Sequence, residues 1–169
     1  MENEKKYYAG IGSRKTPPTV LDLMTRTARF LYCGGYTLRS GGAIGADSAF
    51  ELGSGGENEI FLPFEGYNKN RSKLFTIPDA AFEIAAKLHP AWDRCTEVVR
   101  KYHARNVLII YGQDLQTYCD FVICWTRKGL VKGGTGMAIR IAQAADIPIF
   151  NLAKQEEKDK ITEKIKNVS

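Results

Sequence analysis

The chain has 169 residues, enough for one domain with a buried core, and its 44% hydrophobic and 25% charged content excludes a wholly disordered or fibrous polypeptide. Its 24 basic against 19 acidic residues, +5 at neutral pH, admit an anionic ligand without requiring nucleic acid, because no basic stripe or tail stands out. The opening Met-Glu-Asn-Glu-Lys-Lys leads into no long apolar run, so neither signal peptide nor membrane span is expected, and a cytoplasmic setting is.

Lys6 to Ile11 reads as a first strand running into Gly10-Ile11-Gly12-Ser13-Arg14. Thr16-Pro17-Pro18 opens a helix, since proline is tolerated where the first-turn amides are unpaired anyway. Leu21, Met24, Ala28 and Leu31 recur at helical spacing, and Gly34-Gly35 ends the segment. Tyr36 to Arg39 is a short second strand that meets the glycine-rich run Ser40 to Asp47; a second helix follows through Leu52 and stops at Gly53, Gly55 and Gly56. Glu59 to Leu62 is a third strand. Pro63 to Pro78 has no periodicity and is long enough for a functional loop.

Asp79 to Leu88 and Thr96 to Leu115 have helical patterns, with a break near His103 allowed in the second. Phe121 to Trp125 is continuously apolar, as in a strand buried on both faces. Gly133-Gly134-Thr135-Gly136 opens a helix to Ala145, and Ile147 to Phe150 is a final strand. Residues 153–169 form a C-terminal helix or tail, whose mixed charges between Lys154 and Lys166 fit a solvated face. The alternation predicts a single α/β domain over residues 1–169: a Rossmann-like, parallel or mostly parallel sheet with helices on both faces.

Each glycine cluster follows a predicted strand and precedes a predicted helix, so all three belong at the carboxyl edge of the sheet, where ligands bind. Glycines let backbone amides approach an oxyanion, and helix N-termini add about half a positive charge each. The candidate ligand-binding residues are Gly10, Gly12, Ser13 and Arg14 in the first loop and Ser40, Gly41, Gly42, Gly45 and Asp47 in the second. Gly133, Gly134, Thr135 and Gly136 supply the third. Arg39 is either a further phosphate partner or an ordinary surface arginine. Asp47 either compensates the dipole of its helix or accepts a bond from a sugar hydroxyl. Asp47 and Glu51, four residues apart, share a helical face and form a candidate acid–base pair if burial separates their pKa values.

Cys33, Cys95, Cys119 and Cys124 contain no CxxC pair, and with only His89 and His103 beside them no zinc pattern emerges; reduced, mostly buried thiols and no metal are expected. His89 and Trp92 either line a pocket mouth or cap the core between two helices. His103, next to Arg105, lies nearer the expected ligand site.

Four stretches carry a family resemblance: Gly10 to Arg14, Ser40 to Asp47, Ala104-Arg105-Asn106, and Gly133 to Ala138 ahead of Ile147-Pro148-Ile149-Phe150. Together they resemble the SLOG superfamily, which joins the Rossmann domain of DNA-processing protein A with the Lonely Guy phosphoribohydrolases and nucleotide sensors. The resemblance spans Tyr7 to Leu152 and is strongest, in Phe121 to Thr126 and Gly133 to Leu152, to small stand-alone members from phage genomes. It implies a ligand site that includes Arg105, Asn106 and Thr126, no cofactor, and a homo-oligomer in the cytoplasm, or in the host's cytoplasm if the gene is a phage's.

The leading functional expectation is capture of a nucleotide or nucleotide-derived small molecule, sensed or sequestered. One alternative follows the DNA-processing relatives, which hold single-stranded DNA with an Arg-Asn element like Arg105-Asn106. Here Lys101, Lys69 and Arg71 would join it, and Tyr67 or Trp92 would offer stacking surfaces. The other alternative is N-glycosidic hydrolysis of a nucleoside monophosphate. The phosphoribohydrolases need Pro-Gly-Gly-x-Gly-Thr-x-x-Glu, whereas residues 132–140 read Lys-Gly-Gly-Thr-Gly-Met-Ala-Ile-Arg, without the carboxylate. Arg105 matches their arginine, which leaves Asp47 and Glu51 to replace the missing acid.

Overall fold

The computed structural model describes residues 3–166 and contains five strands and six α-helices. They alternate as β1 (Lys6–Gly10), α1 (Pro18–Cys33), β2 (Tyr36–Ser40), α2 (Ala46–Gly53), β3 (Asn58–Ile60), α3 (Asp79–Leu88), α4 (Glu97–Tyr111), β4 (Phe121–Cys124), α5 (Gly133–Ala144), β5 (Ile149–Asn151) and α6 (Gln155–Lys166). The strands form one sheet in the order β3-β2-β1-β4-β5, and all four pairings are parallel. This is the expected Rossmann-like α/β architecture. The end of the predicted C-terminal segment, 167–169, lies outside the described residues.

Strand periodicity explains the two cores. Tyr8, Leu38, Ile60 and Ile123 project to one face and meet Met24, Ala28 and Leu31 of α1, Phe50 of α2 and Ile161 of α6. Their neighbours Ala9, Val122 and Cys124 project to the other face, against Ala81 and Ala85 of α3, Val107 to Ile110 of α4, and Met137 and Ile141 of α5. A period of two along each strand thus divides the helices three and three.

Most boundaries differ from the sequence reading by a residue or two, as at β3, which ends at Ile60 rather than Leu62, and two differences have a plain cause. Helix α4 runs unbroken through His103 and stops at Tyr111, before Leu115, because Gly112 at φ 83° turns the chain where a side chain would be strained. Strand β5 begins at Ile149, after Pro148, which has no N–H to give the ladder.

The chain steps from β1 outward to β2 and β3, then returns across the sheet to β4 on the other side of β1. The loops after β1 and β4 therefore diverge above their carboxyl ends and open a crevice there. They stay coupled at its floor, where Ile11 N–H donates to Ile123 O and Ser13 N–H to Trp125 O, both at 3.1 Å.

Candidate functional site

A cleft of about 1100 Å³ occupies that crevice. The loop after β1 contributes Gly12, Ser13, Arg14 and Lys15; the loop after β2 and the start of α2 contribute Ala43 and Asp47. Thr126 to Lys128 follow β4, Gly133 to Thr135 open α5, and α4 projects Tyr102, His103, Arg105 and Asn106 from the side. The structure therefore brings all three glycine loops to one place.

The first two loops, however, already hold an anion. Asp47 is 5% exposed, and its carboxylate accepts from the amides of Gly12 (3.3 Å), Gly41 (3.1 Å) and Ala43 (3.4 Å). The amides expected to meet a ligand are satisfied from within. Burial pushes the Asp47 carboxyl up to about 6, against the opposing pull of Arg105 and of the three amides. Asp47 is the acidic residue in the first turn of α2, the position expected of a dipole partner, and its carboxylate also ties the first two loops together.

Arg105 holds the back of the cleft and is 6% exposed. Its Nη1 donates to the carbonyls of Gly41 and, at 3.1 Å, Phe61, while its Nε donates to Asn106 Oδ1 at 3.0 Å. Tyr67 and Tyr102 flank the guanidinium, with ring centroids 5.7 and 6.0 Å from its central carbon. Arg14 joins this wall by donating from Nη2 to Tyr67 Oη at 3.2 Å. Asn106 passes the connection on, its Nδ2 donating to Gly134 O at 3.0 Å, so the Arg105-Asn106 pair links the second loop to the third.

The third loop is the one left open to a ligand. Among the described residues no side chain caps α5, so the first-turn amides at Gly133, Gly134 and Thr135 have no intrahelical partner, and these three residues line the cleft. Beneath it Thr126 is fixed by Asn151, whose Nδ2 donates to Thr126 Oγ1 at 2.7 Å while Asn151 Oδ1 accepts from the Thr126 amide at 3.3 Å.

Charge completes the picture. Among the described residues seven cationic side chains line the cleft, Arg14, Lys15, Arg105, Arg127, Lys128, Lys132 and Arg140, against one carboxylate, that of Asp47. Lys15, Tyr102, Arg127, Lys128, Lys132 and Arg140 are absent from the sequence-based set. Their signal was the Arg127-Lys128 pair and Lys132 ahead of the third glycine cluster, which read as unremarkable until the sheet placed that loop beside Arg14 and Lys15.

Several expected residues have other roles. Gly10 and Gly136 do not line the cleft: a Cβ on Gly10 would strike Phe50 and Leu38, and one on Gly136 would strike the Val131 backbone, so both are packing glycines. Ser40 is fully buried, its hydroxyl donating to Gly10 O at 2.6 Å. Gly45, at φ 86°, passes so close to the Arg14 backbone that it serves the crossing of two loops. Arg39 is a core residue, 2% exposed, with Nε donating to Glu59 at 2.8 Å and its guanidinium 3.8 Å above the Tyr7 ring.

Glu51 also departs from expectation. It accepts from Asn70 Nδ2 at 3.0 Å and, with Gly42, Lys69 and Arg71, lines a second cleft of about 870 Å³. Asp47 and Glu51 thus face different clefts and form no acid–base pair. Of the pair considered for the pocket mouth, His89 lies there; Trp92 packs instead against His89 and beneath the Arg100 guanidinium. Only Cys119 and Cys124 are buried, and burial pushes both thiols up to about 12; Cys33 is exposed and Cys95 half-buried.

No helix among the described residues is long and apolar enough to cross a membrane. No protein-family model and no curated protein matches the chain. Among solved structures the chain is similar to DNA processing protein A from Helicobacter pylori, described for its single-stranded DNA binding mode. The two share 18% identity and a TM-score of 0.59, over 96% of this chain and 81% of the other. At that identity the likeness establishes a shared Rossmann-like fold.

Proposed function

We propose that the cleft binds a phosphate-bearing nucleotide ligand, with the phosphate at the start of α5 among Arg127, Lys128, Lys132 and Arg140 and the base toward Tyr67 and Tyr102. The observation that carries this reading is the imbalance of seven cations against one carboxylate, itself already bonded to three amides. Like charges gathered in a concave, partly desolvated site repel one another unless an anion joins them. Calorimetry with nucleosides and their 5′-mono-, di- and triphosphates tests the reading. Phosphorylated forms bind and the parent nucleosides do not; a folded protein that binds no phosphorylated form at millimolar concentration overturns it.

A second reading, single-stranded DNA, is favoured by where the cations sit. Arg14, Lys15, Arg127, Lys128 and Lys132 are exposed along the rim of an open cleft, as a sugar–phosphate backbone requires, and aromatic rings stand behind them. The Helicobacter pylori protein of similar fold binds such a strand. Anisotropy with oligothymidylates separates the readings: for a strand, affinity climbs with length and falls with salt at about 0.7 per phosphate contact on a log–log plot. A mononucleotide that saturates the site with full affinity favours the first.

N-glycosidic hydrolysis draws no support from this geometry. Arg140 stands where the enzymes carry glutamate, and Asp47 and Glu51 diverge.

A further inference from the structure

A cluster at the mouth of the cleft is not explained by anion binding. His89 caps the C-terminus of α3, Cys95 follows the short turn Trp92–Arg94, and His103 lies in the second turn of α4. Their spacing, six and eight residues apart, matches no familiar zinc pattern; the α3–α4 connection folds them together. Cys95 Sγ is 3.8 Å from His89 Nε2 and 3.9 Å from His89 Nδ1, and the His89 and His103 ring centroids are 4.5 Å apart. One donor atom from each of the three residues can be chosen so that all lie within 4.8 Å of one another.

A second, independent observation concerns His103. It is 93% buried, and its Nδ1 has no hydrogen-bond partner among the described residues. A buried nitrogen left unpaired is costly, so such atoms call for a partner. We propose that His89, Cys95 and His103 form a binding site for a zinc ion, with the fourth coordination position open to the cleft.

The donor set selects the metal. One thiolate and two imidazoles are borderline-soft ligands that suit zinc and exclude calcium and magnesium, which take oxygen. Tetrahedral zinc at about 2.0–2.1 Å from nitrogen and 2.3 Å from sulfur places neighbouring donors roughly 3.3–3.6 Å apart, so the cysteine–histidine edge needs only a few tenths of an ångström of closure. Three protein ligands with one vacant position is the arrangement that holds water or a substrate oxygen. His89 and His103 both line the cleft, so an anion bound there has access to that position.

Binding is balanced by protons. The Cys95 thiol, which now reaches the Ala91 carbonyl at 3.5 Å, loses its proton to solvent on coordination. His89 Nδ1 now accepts from the Ala91 amide at 3.0 Å. Metal at Nδ1 displaces that bond, whereas metal at Nε2 requires Nδ1 to carry a proton. Either way the 89–95 turn is the part that adjusts. With zinc and thiolate counted together, the site gains one positive charge, which adds to the cationic lining.

Cobalt(II) titration of the untagged, metal-free chain tests the site, because a cysteine thiolate on cobalt gives an ultraviolet charge-transfer band and a tetrahedral centre gives intense visible bands. Equimolar uptake with both signatures, reversed by zinc, is the expected result. Cys95→Ser removes the charge-transfer band, and His89→Gln weakens binding by more than about tenfold, the least that loss of even an outer partner causes. Both positions are half-buried, so these variants are expected to fold, and circular dichroism confirms it. Cys33→Ser, a change at an exposed thiol remote from the cluster, leaves the spectrum intact. Absence of equimolar uptake at micromolar cobalt, or a charge-transfer band that survives Cys95→Ser, overturns the proposal and leaves the anion cleft untouched.

Discussion

Asp47 and Arg105 stand on either side of Gly41, so close that a methyl group on that glycine would lie 2.9 Å from both Asp47 Oδ2 and Arg105 Nη1. This contact, with the Arg105 bond to Gly41 O, joins the second loop to α4. Gly41→Ala must push the two charged groups apart inside a packed interior, and overpacking of this kind costs about 1–3 kcal/mol. Thermal unfolding should show the loss directly. The displaced Arg105 should also weaken nucleotide binding, a consequence that calorimetry on the folded variant measures.

Asp47 predicts a pH dependence of stability. Its folded-state value of about 6 lies above the ordinary 3.8, so folding favours the protonated form. That contribution is fully present below about pH 4 and is lost as pH rises through 6, a difference of roughly 3 kcal/mol. Asp47→Asn cannot titrate and should flatten this part of the stability curve, whatever it does to absolute stability through the loss of one acceptor oxygen. Urea midpoints at pH 4.5, 5.5 and 7 for both proteins provide the comparison; parallel curves would contradict the assignment.

The Asp47 carboxylate lies close enough to Arg105 for each to feel the other's charge, so when ionised it offsets the pull of that guanidinium on an incoming phosphate. Affinity for an oligothymidylate, whose phosphodiesters do not titrate in this range, should therefore rise as pH falls from 7 to 5.5, and the rise should vanish in Asp47→Asn. Anisotropy at fixed salt reads both effects.

The sheet and its order of elements were legible because strand and helix periods, prolines and glycine stops all pointed the same way. Convergence of the three glycine loops followed from topology alone, and Gly12, Arg14, Arg105, Asn106 and Gly133 to Thr135 line the cleft as expected. What pattern cannot reveal is which partner a buried polar group finds. Asp47 satisfied amides meant for a guest, Arg39 turned inward to Glu59 and Tyr7, and Glu51 faced a different cleft. The metal-ligand cluster was hidden for a related reason: the turn between α3 and α4 brings His89 back onto Cys95 and His103, and no residue spacing records that fold-back.

Gly134 separates structural from ligand-binding roles in the third loop. A Cβ there meets nothing within 4 Å, and its backbone is not in the left-handed region. Gly134→Ala should fold with unchanged or slightly greater stability, since alanine restricts the unfolded chain and favours helix. Yet a phosphate approaching the first-turn amides of α5 would meet the added methyl group. The expected outcome is an unaltered melting temperature with affinity for nucleotides or oligonucleotides reduced; retained affinity would place the anion away from that turn.

The two clefts make opposite predictions for a nucleic-acid strand, and exposed cations distinguish them without disturbing the core. Lys128 and Lys132 border the first cleft, while Lys69 and Arg71 border the second; all four are exposed. If a strand runs along the first cleft, Lys128→Gln and Lys132→Gln each remove a phosphate contact. Each should then reduce the slope of log affinity against log salt by about 0.7 and weaken binding at low salt more than at high salt. Lys69→Gln, Arg71→Gln and Glu51→Gln should leave slope and affinity as they are. The reverse result would move the strand to the second cleft. Equal small effects from all four cations would mean that net charge, rather than either groove, attracts the strand. Because these side chains are solvated and outside the cores, their replacement should shift stability by no more than about 0.5 kcal/mol, so altered binding reports on the interface itself.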